Sequence, residues 1–114
     1  MDKIGKDRFV ELALGEFPDL RDEFVEYDGL LHLQMAAVSH KANDAIGKAD
    51  WNGLSRIYTF VSQIFDVADS DVENAVYVSF VENLDLHGSV LGEQAKALLP
   101  PVLQNIADNL WKTD

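Results

Sequence analysis

The chain contains three histidines, His32, His40 and His87, and no cysteine. Disulfides, thiolate metal sites and cysteine nucleophiles are thereby excluded. His32 and His40 would lie two turns apart on a shared helix, roughly 12 Å, which is too far to hold one ion. His40 and Asp44 stand at i, i+4 and could hold a metal together. A transition-metal site takes three or four protein groups, however, and no third accompanies them. No Gly-x-Ser-x-Gly elbow is present, and the seven glycines are scattered rather than gathered into a phosphate-cradling loop. Carboxylates are plentiful, but a general acid needs a desolvated one. The expectation is therefore a protein with no catalytic residue, no cofactor and no bound metal, and not an enzyme.

The chemistry left is that of charge. Six acids, Asp66, Asp69, Asp71, Glu73, Glu82 and Asp85, occur in a stretch without a single Lys or Arg. A second set of six, Glu16, Asp19, Asp22, Glu23, Glu26 and Asp28, is accompanied only by Arg21. Residues 1–57 hold 11 acids and 7 bases, and residues 58–114 hold 9 acids and 2 bases. Such a pattern reads either as a solvated surface or as a docking face that steers a basic partner. The first set is expected to carry the docking face, with Tyr77 as an aromatic anchor; the 16–28 acids are the alternative face. Trp51 is a second candidate anchor, and either aromatic could instead belong to the core.

The chain has 114 residues, 47% hydrophobic and 25% charged, which is the composition of one globular domain with its own core. The net charge of −11 argues against nucleic acid as a direct partner, because binding it requires Lys and Arg to neutralise phosphates. No apolar run approaches the ~20 residues of a membrane span. The charged start, Met1-Asp2-Lys3-Ile4-Gly5-Lys6, lacks the apolar core of an export signal, so a cytoplasmic location is expected.

Helical periodicity runs between single turns. Helices are expected over about 6–16, with Phe9, Leu12 and Ala13 inward; from Pro18 to about Tyr27; over about 30–47, with Leu30, Leu33, Ala37 and His40 on one stripe; and over about 52–68, after a turn at Trp51-Asn52-Gly53. In the last of these, Leu54, Ile57, Tyr58, Val61, Ile64, Phe65 and Ala68 form an unbroken amphipathic stripe. Ser70-Asp71-Val72-Glu73 fits a capping box. It opens a fifth helix through Leu84 whose Val72, Val76, Phe80 and Leu84 follow at i+4, although the run from Ala75 to Val81 is β-branched enough for a buried strand. Further helices are expected over about 89–98 and 100–112, the latter started by Pro100-Pro101 and burying Val102, Leu103, Ile106, Leu110 and Trp111. The fourth and fifth helices should carry most of the stability. The fold class is all-α: a single domain over residues 1–114, an irregular bundle or helical-repeat-like stack of five to seven helices.

The segment Ser79-Phe80-Val81-Glu82-Asn83-Leu84, followed by Leu91-Gly92, resembles a family of small bacterial proteins that carry a Ser-Phe-x-Glu-Asn-Leu helix and then a Leu-Gly step. A fainter likeness extends to Phe17-Pro18-Asp19-Leu20. Some members look like immunity proteins of contact-dependent growth-inhibition and polymorphic toxin systems. The resemblance implies a small acidic antitoxin that occludes a cognate basic toxin domain, a nuclease above all, with carboxylates standing in for the phosphates of the substrate. The alternative is a general helical adaptor or regulatory subunit without a toxin partner.

Overall fold

A computed structural model describes residues 3–111. Within them the chain forms α1 (Lys6–Glu16), a 3-10 turn (Pro18–Leu20), α2 (Arg21–Glu26), α3 (Leu31–Gly47), α4 (Trp51–Val67), α5 (Ser70–Ala75), α6 (Val90–Ala97) and α7 (Pro101–Leu110). The α5 helix runs on without a break into a π-helical segment, Val76–Val81. The class is all-α, an irregular bundle around one core. Residue 112, where the seventh helix was expected to end, lies outside the described residues.

Turn and cap chemistry places the boundaries. Gly29 (φ 77°) and Gly88 (φ 83°) supply the left-handed backbone of their turns. Between α3 and α4, the amide of Asp50 donates to Ala45 O at 2.9 Å and that of Ala49 to Ile46 O at 3.0 Å. This pairing closes α3 as a Schellman motif, with Ala49 at φ 55° in the position usually given to glycine. The Asp50 carboxylate then accepts from the Gly53 amide at 3.0 Å. Trp51-Asn52-Gly53 is thus the first turn of α4 rather than the expected loop. Ser89 Oγ caps α6 by accepting from the Gly92 amide at 2.9 Å. Gly92 is buried where the backbone of Asp85 passes: a β-carbon there would stand 2.7 Å from Asp85 O. That approach is the physical content of the Leu91-Gly92 step.

The fifth helix is capped one residue earlier than the Ser70 capping box would have it. Asp69 is extended (φ −73°, ψ 177°), and its carboxylate accepts from the Val72 amide at 2.9 Å, so Ser70 already lies inside the helix. Asp69 is fixed there from behind. Its amide donates to Ile4 O at 2.8 Å, while the Ile4 amide donates to Val67 O at 2.8 Å. Through this pair the segment before α1 is laced across the α4–α5 corner as an isolated parallel bridge between Ile4 and Ala68.

The β-branched run is helical, as expected, but under-wound, with one extra residue enclosed by each hydrogen bond: the Glu82 amide reaches back five residues to Tyr77 O at 3.2 Å. The added residue lets Phe80 and Val81 both enter the core beside Val76.

On α4 the stripe is inward as expected, with Phe65 half-buried. On α3 the expectation fails by one residue. Leu30, Leu33 and His40 are exposed, and the buried stripe is Leu31, Met35, Val38, Ala42, Ala45 and Ile46, with Ala37 beside it. Both stripes obey helical spacing. The turn at Gly29 decides between them by starting α3 at Leu31, and Gln34 confirms the rotation by donating to Phe24 O at 3.2 Å. The central helix is also a different one: α3 packs against α2, α4, α5 with its π segment, and α6. It lies between α4 and α5, where the sequence pointed to those two as the centre.

Candidate functional site: an acidic face on α5 and its flanks

The acids of the 66–85 stretch divide by what holds them. Asp69 is half-buried and spends its carboxylate on the α5 cap. Asp71 and Glu73 sit in the first turn of α5, where the positive end of the helix dipole favours them. Glu82 and Asp85 are exposed just past the C-terminal end of the same helical run, where the dipole disfavours a negative charge. Asp66, exposed, stands near the C-terminal end of α4 in the same unfavourable position. Among the described residues no Lys or Arg forms an ion pair with any of these six acids. About 11 residues separate Asp71 from Glu82, roughly 15 Å of helix, so the acids are strung out in the order of the sequence, an open ridge rather than one knot, with Asp71 and Glu73, two residues apart, on opposite sides of α5. Tyr77 lies midway along the helix. It is half-buried against Phe65, ring centroids 6.0 Å apart, and packs on the edge of the core.

The alternative 16–28 face differs at two of its six acids, Glu16 and Asp19. Glu16 Oε1 accepts from Arg56 at 2.9 Å, and the same guanidinium donates to Glu16 O at 2.7 Å. Asp19 accepts from Lys41 at 2.6 Å, and this hydrogen bond holds the Asp19 carboxyl below its usual range against the opposing effect of burial, with the smallest help coming from Arg56. Arg56 and Lys41 both lie over the ring of Phe17, at 5.4 and 5.6 Å. Together with Lys48 and Asp44, paired at 3.0 Å, they line a cleft of about 540 Å³ in which Glu16, Asp19 and Asp44 each meet a base and Asp50 is spent on the α4 cap. This pairing also removes Asp44 from any site with His40, which is exposed. Among the described residues no three His, Asp or Glu side chains gather where a metal could sit.

The polar members of the Ser-Phe-x-Glu-Asn-Leu segment are mostly structural. Ser79 Oγ bonds His32 Nδ1 at 2.7 Å and fastens the start of α3 to the π segment. Asn83 donates to Ser79 O at 3.0 Å, and Asn43 bridges onward by donating to Asn83 O at 2.9 Å and accepting from the Asp85 amide at 2.8 Å. Phe80 and Leu84 are core. Glu82 alone is left pointing into solvent with no protein partner among the described residues. Sequence reasoning did not single out Asn43, which holds the Asp85 end of the ridge in place; a lone Asn on a helix carries no pattern that would reveal it.

The frame is therefore an all-helical single-core bundle that pairs Glu16 and Asp19 with bases and leaves Asp22, Glu23, Glu26 and Asp28, like the six acids of the 66–85 stretch, without an ion pair among the described residues. No described helix is long and apolar enough to cross a membrane. The chain belongs to the family described as a domain of unknown function (DUF7674), whose model matches residues 10–112. No curated protein and no solved structure matches it.

Proposed function

We propose that this protein is a non-enzymatic immunity protein of the cytoplasm that binds a cognate basic toxin domain, a nuclease above all, and blocks its phosphate-binding cleft. The observation that carries the reading is the position of Asp66, Glu82 and Asp85: exposed, without an ion-pair partner among the described residues, and placed where helix dipoles make them costly. Acids kept against local electrostatics are explained by a partner that neutralises them. Asp71 and Glu73 extend the face, while Asp69 serves it through the cap. The rigid α5–π unit, locked to α3 through Ser79 and Asn43, presents the carboxylates with little ordering cost on binding.

The test is co-expression with the C-terminal domain of a toxin encoded beside this gene. The expected result is restored host growth and a stable complex. The Glu82→Lys/Asp85→Lys double variant should slow association at low salt by roughly tenfold or more if these acids form the rim, and should cost several kcal/mol of affinity if they lie at the desolvated centre. Unchanged affinity and unchanged salt dependence would remove the ridge from the interface. A stable complex with a partner that has no toxicity would return the adaptor reading.

A further inference from the structure

The α3 register that departs from expectation leaves apolar side chains outside. Leu30 is 52% exposed, Leu33 45% and, on α2, Val25 67%. These residues line a chain of shallow depressions. The largest, about 450 Å³, contains Leu30 and Leu33 with Asp71 and Lys6. It shares Lys6 and Gly29 with a second of about 280 Å³, which in turn shares Val10 and Asp28 with a third of about 300 Å³ that ends at Val25. The result is one groove between α1 and the α2–α3 turn, reaching α5 at Asp71. Its lining mixes the aliphatic side chains of Val10, Leu14, Val25, Leu30 and Leu33 with the polar Gln34. Its rim carries Asp7, Asp28 and Asp71, none in an ion pair among the described residues, against the single ammonium of Lys6. Glu11 also lies on the rim but is taken up by Arg8 at 3.0 Å.

We infer that this groove is the apolar half of the docking surface, and that it receives an amphipathic helix of the partner: aliphatic residues laid on Leu30, Leu33 and Val25, with Lys or Arg along its edges facing Asp28 and Asp71. The inference rests on the reading of a basic partner and adds where the partner's apolar side chains go. Charge complementarity selects the occupant. An acidic helix would set like charges against three carboxylates, and a second copy of this chain would bring a net charge of −11 to its twin. Asp71 belongs both to the groove and to the α5 ridge, so the two surfaces are continuous. An apolar strip flanked by charge is the arrangement by which grooves take helices.

The experiment uses the full chain and a fluorescent helical peptide of ~18 residues, about five turns, with leucines on one face and lysines on the other. A control peptide carries glutamates in place of the lysines. The lysine peptide should bind saturably, at least tenfold more tightly than the glutamate peptide. Leu30→Ser/Leu33→Ser should weaken it tenfold or more while the helical circular-dichroism signal and melting temperature stay as in the parent. Asp28→Asn/Asp71→Asn should weaken it and flatten its salt dependence. Val90→Ser, at a valine 75% exposed but outside the groove, should change nothing. If the leucine variant binds as the parent does while Glu82→Lys/Asp85→Lys does not, the groove is refuted and the acidic ridge alone stands. Failure of the lysine peptide to bind at all refutes the groove, and the reading of a basic partner is then judged by the toxin co-expression alone. Equal binding of the two peptides, or a dimer in sedimentation equilibrium that the leucine variant abolishes, overturns the assigned occupant.

Discussion

Tyr58 sits almost wholly inside the bundle, and its hydroxyl donates to Ala95 O at 3.0 Å, joining α4 to α6. Burial pushes its ionisation well above the ordinary value of 10.0. The neutral phenol is the form that the folded state keeps, so its contribution is complete below the unfolded value and declines as pH rises beyond it, because only the unfolded chain then releases the proton. Tyr58→Phe should cost about 1 kcal/mol near neutrality through the lost hydrogen bond. Its stability should also fall less steeply between about pH 9 and about pH 11 than that of the parent, as read from urea denaturation at each pH. A parallel decline of the two proteins would place the alkaline sensitivity at another residue. The amphipathic stripe made Tyr58 legible as an inward residue; its hydroxyl partner is a backbone carbonyl on another helix, which no spacing in the sequence announces.

At the scale of elements, the α4–α5 corner shows what a single cap does. Asp69→Ala removes the acceptor for the Val72 amide and should destabilise the protein by ~1 kcal/mol, measured as a shift in the urea midpoint, whereas Asp69→Asn should keep most of that stability. If the two variants are equally unstable, the charge rather than the hydrogen bond is what α5 needs. The same corner shows the reach of the sequence. The helix was readable from Val72, Val76, Phe80 and Leu84, and its cap was misplaced by one position because Ser70 and Asp69 are both good cap residues. The choice is made by Ile4, distant in sequence, whose carbonyl fixes the Asp69 amide. The α3 error has the same origin: two leucine stripes compete on one helix, and the α2–α3 turn selects between them. The π geometry of Val76–Val81 was invisible, since β-branching lowers helix preference without saying that the turn is widened. On the candidate site, the sequence placed the acids, and only the fold could separate Glu16 and Asp19, which meet Arg56 and Lys41 from helices far along the chain, from Glu82 and Asp85, which meet no base among the described residues.

At the largest scale, the 18 acids and 8 bases of the described residues 3–111, net −10, are confined to a body of about 35 × 30 × 21 Å. Unmatched carboxylates on such a body repel one another in the folded state more than in the expanded chain. Raising sodium chloride from ~10 mM to ~150 mM shortens the screening length from about 30 to about 8 Å, so the melting temperature should rise by a few degrees, as followed by calorimetry. A melting temperature that fell with salt would mean that the four ion pairs outweigh the repulsion. The bridge from Ile4 to the α4–α5 corner also gives the molecule a direction under load. Tension applied through a handle on the N-terminus meets two backbone hydrogen bonds, the half-buried side chain of Ile4 and the seat of the Asp69 cap before it meets the fully buried side chains of α1. The front of the chain therefore works as a zip pull, which undoes the corner beneath the acidic ridge first and leaves the α3-centred core to yield afterwards.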